Sequence, residues 1–483
     1  MSMVTGSRLS ARALLALAGE LDAGSAAYEA LAERIRLLIV DGRIPAGTRL
    51  PSERELAVEA GRSRTTIVAA YQSLRDTGHL VSQRGSGSRA TLPGRAGALD
   101  APRREVDFAR AVPPPVDGLQ EIVAEVSGRM LQALDGPGFD LLGNEALRRA
   151  IADRYTQRSV PTSPDQIVVT MGGQHAISLV AHTILSRSDT VLIESPTYPH
   201  AYEAFRRAGA RLATTPVTVD GWDVDHLVET ILRVRPAAAY LMPDFHNPTG
   251  ASMAPAGRAR VAEAARAVGT VLIVDETTAD LTIDRDWDDG PFARHARGAS
   301  PVSGSGVVTI GSLSKSVWGG LRLGWIRADG AIVRRVVQAR PAGDLGTPQL
   351  EQLLGERIVR ALPELLPHRR RLLGEHRTVM SDALARHLPQ WRVPRPAGGL
   401  SMWVQLDRPG SSALTSLCEA RGLALVAGPK FSVDGSLERF LRLPFTSPVA
   451  DLDAGVQLLA ESWEQLSARA THSTVDERLP QVV

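Results

Sequence analysis

The sequence predicts an α/β protein in two parts, a small helical head ending in a β-hairpin and a large body built on a mostly parallel sheet. Three observations predict it. Residues 26–90 read as three short helices followed by a glycine-rich hairpin, residues 91–104 are Pro, Gly, Ala and Arg without periodicity, and beyond them apolar runs alternate with helical stretches. With 483 residues, 43% of them hydrophobic and 22% charged, the chain has material for more than one core.

The bulk composition excludes more than it identifies. A formal net charge of +2 is too small to advertise nucleic-acid binding, so any DNA contact must come from the placement of individual arginines. The single cysteine, Cys418, excludes an intrachain disulfide framework and any multi-cysteine metal site; no metal is expected, and a reducing, cytoplasmic location is. Near the N-terminus, Arg8 and Arg12 border the apolar run Ala13–Ala18, but Glu20 and Asp22 interrupt it too soon for a signal peptide. Leu14, Leu17 and Leu21 fall at helical spacing, so residues 1–25 read as an amphipathic helical extension lying on the head. No segment reaches membrane-spanning length. Of the 55 lysines and arginines only Lys315 and Lys430 are lysines. Under such a bias a retained lysine marks a place where an amine is needed, since arginine stays protonated and forms no Schiff base; for Lys430, chance retention is the preferred reading.

In the head, Leu31, Ile35, Leu38 and Ile39 repeat at helical spacing until Asp41-Gly42 stops the run. Ser52, with Glu55 three residues on, is a capping box that starts a second helix. Gly61 ends it, and Ser63 caps a third in which Ile67, Tyr71 and Leu74 form the buried stripe while Arg64, Thr65 and Thr66 occupy the first turn. After Gly78, His79–Ser82, the turn Arg84–Gly87 and Ser88–Ala90 read as a hairpin. Polar residues leading a helix suit DNA, because backbone N–H groups and arginine engage phosphates and exposed side chains reach base edges. A generic three-helix domain shows the same periodicity, and ten arginines against seven acids over residues 26–90 is also a solvated face.

In the body, the apolar runs at 167–170, 190–193, 238–241, 271–274 and 307–310 read as buried strands, and α/β proteins place ligands at the ends of such strands. Met171-Gly172-Gly173-Gln174 opens a helix, where unobstructed N–H groups suit a phosphate. Tyr198, between Pro196 and Pro199, offers a ring for stacking on a flat heterocycle, and Asn247 stands at a sharp turn before Pro248. Asp275 ends an apolar run and needs a cationic partner. Gly311-Ser312-Leu313-Ser314-Lys315 follows the last run, with Arg322 seven residues beyond the lysine. Singly, each is also an ordinary turn or a structural polar residue.

Taken in order, these motifs carry two resemblances. The stretch Leu50–Ala57, then Ser63–Thr66, then Gly85–Ser88 closely resembles the GntR-type winged helix-turn-helix domain. By that resemblance Arg54, Ser63, Arg64, Thr65, Thr66, Arg84 and Gly85 serve double-stranded DNA, Ser63 by supporting the helix start. Residues 105–465 resemble the fold-type I, pyridoxal-phosphate-dependent aminotransferases of class I and II, which implies a smaller C-terminal α+β subdomain. Carried over, Lys315 is the Schiff-base lysine, Asp275 the partner of the pyridinium nitrogen, Tyr198 the stacking ring and Asn247 the partner of the ring hydroxyl. Gly173, Gln174, Ser312 and Arg322 hold the phosphate, and Arg442 clamps a ligand carboxylate. Two departures stand out: Thr278 replaces the usual Tyr three positions after the aspartate, and Gly138 occupies the place of an expected aromatic residue, with Phe139 beside it.

The order of parts resembles the MocR subgroup of GntR-family regulators. The implied organisation is an extension (1–25), a winged helix (26–90), a linker (91–104), a pyridoxal 5'-phosphate-binding body (105–465) and a disordered tail (466–483). The implied function is transcription regulation by a head-to-tail homodimer that senses an amino compound or a B6 vitamer through aldimine exchange at Lys315. An active aminotransferase with an autoregulatory DNA-binding head is the alternative, and Thr278 counts against it.

Overall fold

The computed structural model describes residues 8–19, 27–40, 42–83, 87–91, 106–129, 138–288, 290–296 and 306–475. The chain divides into two compact units, one of Met1–Asp107, Leu406–Leu441 and Ala454–Val483, the other of Phe108–Gln405 and Arg442–Asp453. The linker expected over 91–104 lies, apart from Thr91, outside the described residues. No helix among them is long and apolar enough to cross a membrane.

In the first unit the head forms as its sequence periodicity dictates. Helix Ala27–Val40 buries Leu31, Ile35, Leu38 and Ile39, and helix Arg64–Asp76 buries Ile67, Ala70, Tyr71 and Leu74. Between them, helix Glu53–Glu59 carries the reciprocal cap: Ser52 Oγ accepts from the Glu55 amide at 3.2 Å and the Glu55 carboxylate accepts from the Ser52 amide at 2.9 Å. Tyr71 is buried through the same core, and its hydroxyl donates to the Pro51 carbonyl at 2.9 Å. The hairpin pairs Leu80–Gln83 with Gly87–Ala90, while its tip, with Arg84 and Gly85, lies outside the described residues. Ahead of the head, helix Ala11–Ala18 inserts Leu14 and Ala18 into this core.

The same unit contains helix Ser411–Ala420 and the pair Val106–Asp107 with Leu423–Ala424, joined in parallel. Glu438 receives the Ser412 amide at 3.1 Å, the Ser412 hydroxyl at 3.0 Å and, from helix Ala27–Val40, Arg34 at 3.3 Å. Cys418 is fully buried, and burial pushes its thiol up to about 11, so it behaves as a small apolar residue. The final helix, Val449–Val475, runs past the point where a disordered tail is expected to begin at residue 466. Side-chain anchoring explains the difference, since Arg408 stacks on Trp463 and donates to Ser467 Oγ at 2.5 Å.

The second unit is built on an eight-stranded sheet. Its strands stand in the order Ile167–Thr170, Gly324–Arg327, Val307–Ser312, Val271–Asp275, Ala238–Leu241, Thr190–Ser195, Arg211–Thr218 and Gly221–Trp222. The middle pairings are parallel, and Gly324–Arg327 runs against both neighbours. That reversed strand is invisible to hydrophobic periodicity because only Trp325 and Ile326 are apolar in it, between Gly324 and Arg327. Gly311 faces Trp325 across the antiparallel pair, where any Cβ would lie 2.2–2.4 Å from the indole ring. The indole cannot swing away freely, because its Nε1 donates to Tyr155 Oη at 3.1 Å.

Gly311→Ala is therefore expected to destabilise the second unit by about 1–3 kcal/mol, the usual cost of overpacking. Chemical denaturation of the full chain checks it; an unchanged midpoint would contradict the contact.

Candidate functional site

The head presents one candidate surface. Ser63 Oγ accepts from the Thr66 amide at 3.1 Å and sits 2.8 Å and 2.7 Å from the Thr65 and Thr66 hydroxyls, so the first turn of the third helix is held by its own cap. Arg64 and Thr65 are exposed at that turn, Thr66 is half-buried, and Arg54 is exposed near the start of the preceding helix. The two helices pack against each other, the geometry of a helix-turn-helix.

The body presents a cleft of about 860 Å³ of empty volume at the ends of the sheet strands. Gly173, Gln174, Tyr198, Asn247, Asp275, Ser312, Lys315 and Arg322 all line it, so eight residues spread over 150 positions of sequence converge. Parallel strands achieve this because their C-terminal ends lie at one edge of the sheet. Helix Gly173–Ile184 starts at the cleft on two closely approached glycines: a Cβ on Gly172, whose φ is +84°, would meet Arg322 Nη2 at 2.9 Å, and one on Gly173 would meet Thr277 at 3.0 Å. Arg322 takes a left-handed backbone conformation and donates to the Met171 carbonyl at 3.1 Å, fixing its head group beside that helix start. Ser312 Oγ accepts from the Ser314 amide at 3.1 Å and donates to the Leu323 carbonyl at 3.0 Å.

Asp275 is 2% exposed. One carboxylate oxygen accepts from Tyr240 Oη at 2.7 Å and the other from the Thr277 amide at 2.9 Å. Lys315 donates to the Ala111 carbonyl at 2.9 Å. Burial, followed by the like charge of Arg442, pushes its amine down to about 8, against the opposing pull of Asp275. Burial also pushes the Tyr198 hydroxyl up to about 12, so the ring is a neutral face at working pH. Arg442 is 8% exposed on strand Phe440–Pro444 and donates to the Ala109 carbonyl. Thr278 lines the cleft, but its hydroxyl proton goes to the Asp244 carbonyl at 2.8 Å.

Three supporting groups escape a reading of the sequence alone. Tyr240 holds Asp275 from the neighbouring strand. Glu194, fully buried, accepts from Trp222 Nε1 at 2.9 Å and from the Met242 amide at 3.0 Å, and lies 3.2 Å from His246, the residue before Asn247. Asp244 is clamped by Arg258 at 2.7 Å and Arg285 at 2.5 Å, which fixes the start of the same turn. A polar atom inside an otherwise apolar strand, as at Glu194 and Tyr240, is the signal that could have found them.

Residues 136–459 match the family Aminotransferase class I and II, and residues 27–89 match Bacterial regulatory proteins, gntR family. A 2-aminoadipate transaminase of Thermus thermophilus is 31% identical over 349 residues, 71% of this chain and 85% of that protein. The probable rhizopine catabolism regulatory protein MocR of Rhizobium meliloti is 29% identical over 410 residues, 77% of this chain and 79% of that one. The crystal structure of LysN, an alpha-aminoadipate aminotransferase of Thermus thermophilus complexed with N-(5'-phosphopyridoxyl)-L-leucine, aligns with a TM-score of 0.69 at 29% identity, covering 75% of this chain and 93% of that one.

With Lys315 titrating at about 8, uptake of pyridoxal phosphate by cofactor-free protein should accelerate as pH rises through 8 and level off above it, as the neutral amine becomes the main form. Asp275→Asn removes the charge that raises the amine's pKa and should move the inflection to lower pH. Arg442→Met removes a charge that lowers it and should move the inflection up. Stopped-flow absorbance against pH reads both directions, and shifts of the opposite sign would refute this electrostatic account.

Proposed function

Because the chain belongs to the aminotransferase class I and II family, with a gntR-family domain ahead of it in the MocR arrangement, we propose that it is a transcription regulator whose body senses an amino compound. Its head is a DNA-binding domain of the GntR type, and the cofactor of its body is pyridoxal 5'-phosphate. The residues present fit that cofactor. Asn247 Oδ1 and Gln174 Oε1 are buried without a hydrogen-bond partner in the protein, and the amine, carboxylate, ring and bare helix start meet in one cleft. When bound, the cofactor supplies an aldehyde that captures amines reversibly and a ring that withdraws electrons.

Each side chain then has a task. Gly173, Gln174, Ser312 and Arg322 bind the phosphate, Tyr198 stacks on the ring, Asn247 holds its hydroxyl, and Asp275 keeps a proton on its nitrogen. Lys315 is the exchangeable amine, held near neutrality by its surroundings. Arg442 selects ligands that carry a carboxylate. In the head, Arg54, Arg64, Thr65 and Thr66 contact DNA, Ser63 fixes the helix start, and Arg84 and Gly85 extend the contact. Two such chains, paired head to tail, present two heads to an operator.

One observation carries this reading: a self-capped helix turn with exposed Arg64 and a cleft holding Lys315 against Asp275 belong to one chain. The purified protein, loaded with cofactor, should retard a fragment of its own promoter region. Arg64→Ala should weaken that binding by about ten-fold to a hundred-fold, and Lys315→Ala should leave it intact while abolishing any response to added amines. Failure to retard the fragment with or without cofactor would sink the reading.

The buried amine beside Asp275 also supports a second reading, an aminotransferase with an autoregulatory head. Steady conversion of an amino acid with a keto acid, lost in Lys315→Ala, distinguishes it. Commitment of the Thr278 hydroxyl to the Asp244 carbonyl supports sensing over turnover.

A further inference from the structure

The segment immediately after Asp107 makes an unusual series of contacts. The carbonyls of three successive residues each accept a hydrogen bond from a side chain: Ala109 from Arg442, Arg110 from the Thr446 hydroxyl at 3.4 Å, and Ala111 from Lys315 at 2.9 Å. Three residues on, the Pro114 carbonyl accepts from Arg369 at 2.6 Å. Arg369 is 1% exposed on the long helix Gln349–His387 and also donates to the Ser316 carbonyl at 3.1 Å and the Val317 carbonyl at 2.9 Å, the two residues after Lys315. One buried guanidinium therefore ties the end of this segment to the loop that carries the lysine.

The two ends differ in what holds them. At the Pro114 end the anchor is fully inside the protein and its hydrogen bonds go to backbone carbonyls, and the Val116 amide adds a bond to the Val317 carbonyl at 3.0 Å. At the Ala109 end the anchor is Arg442, the guanidinium assigned above to the ligand carboxylate. A carbonyl is a neutral acceptor and a carboxylate a charged one, and charge-assisted bonds to arginine are roughly twice as strong. A carboxylate that takes the Arg442 Nη2 donor competes with the Ala109 carbonyl from the stronger side.

We propose that Ala109–Pro114 is a ligand-responsive strap, fixed at Pro114 by Arg369 and loosened at Ala109 when a ligand carboxylate takes Arg442. The inference rests on the sensing reading above and adds its route of transmission. Phe108 is where the chain first passes from the unit that contains the DNA-binding head into the unit that contains the cleft, and Arg442 is where it enters the cleft unit a second time. The Ala109–Arg442 bond joins two of these crossings, so a ligand that alters it acts directly on the connections of the two units. Arg369 acts as a positioning residue, through the strap and the lysine loop rather than by touching the ligand.

A nitroxide on Val112→Cys tests this in the cofactor-loaded full chain. Val112 is 43% exposed and the native Cys418 is fully buried, so labelling is confined to the strap. The probes are glycine, the smallest amino compound with a carboxylate, and methylamine, the same compound without one. Glycine should raise the mobile component of the nitroxide spectrum and methylamine should not. Thr446→Val, which removes one anchor away from the cofactor, should raise it without any ligand by about five-fold, the population change expected on losing one ordinary hydrogen bond. Arg369→Met should mobilise the strap and shift the absorbance of the bound cofactor, with partial rescue by Arg369→Lys. Equal mobility in wild type and Thr446→Val, or equal release by methylamine and glycine, overturns the strap. The cofactor absorbance separates the two hypotheses: if neither amine perturbs it, sensing fails, while the Thr446→Val spectrum still decides the strap.

Discussion

Asp275 is a carboxylate taken almost entirely out of water at the end of a central strand, and such a group persists only if donors and a cation surround it. Tyr240 and the Thr277 amide supply the donors. Lys315 supplies a cationic neighbour on the next strand's loop, and its own burial, followed by the charge of Arg442, lowers its amine to about 8. The cleft is thus built around a buried carboxylate whose lysine neighbour gives up its proton readily, an environment that favours a ligand able to present a protonated ring nitrogen. Much of the surrounding architecture serves to keep that arrangement rigid. Gly311 allows Trp325 to lie close against the strand that leads to Lys315, and Gly172 leaves room for Arg322.

A second theme is the use of buried arginines as fasteners for backbone. Arg258, Arg340 and Arg369 are each at most 1% exposed, and Arg340 and Arg369 join segments that are distant in sequence. Arg340 donates to the Leu141 carbonyl at 2.6 Å, the Val169 carbonyl at 2.8 Å and the Asp344 carboxylate at 2.6 Å. A guanidinium has five donors in a plane and stays charged, so it can satisfy several carbonyls that would otherwise be buried alone. In a chain so poor in lysine, arginine's role extends from surface solvation to the interior.

Much of this was legible in the sequence because it is local. The caps at Ser52 and Ser63, the buried stripe of Ile67, Tyr71 and Leu74, and the five strands that precede the site residues all follow from spacing and residue type. The convergence of eight cleft residues was legible only as an ordered set, since no single motif among them is specific. What periodicity could not reveal depends on chain reversal or on distant partners. The short antiparallel strand Gly324–Arg327 lacks a pattern of its own, Tyr240 and Glu194 read as strand residues until their partners are known, and Arg369 is one arginine among many on a long helix. The helix that continues to Val475 was likewise hidden, because its anchor is Arg408, nearly sixty residues earlier.

The scarcity of lysine has a consequence for life in a solution that contains reactive aldehydes. Aldehydes condense indiscriminately with accessible amines, and most proteins offer many. This chain offers two lysines: Lys315 inside the cleft, and Lys430, half-buried with its amine against Gly42. A chain with so few decoy amines gives an aldehyde little to react with except the site built to receive it. Its optical spectrum then reports the state of one address rather than an average over a decorated surface.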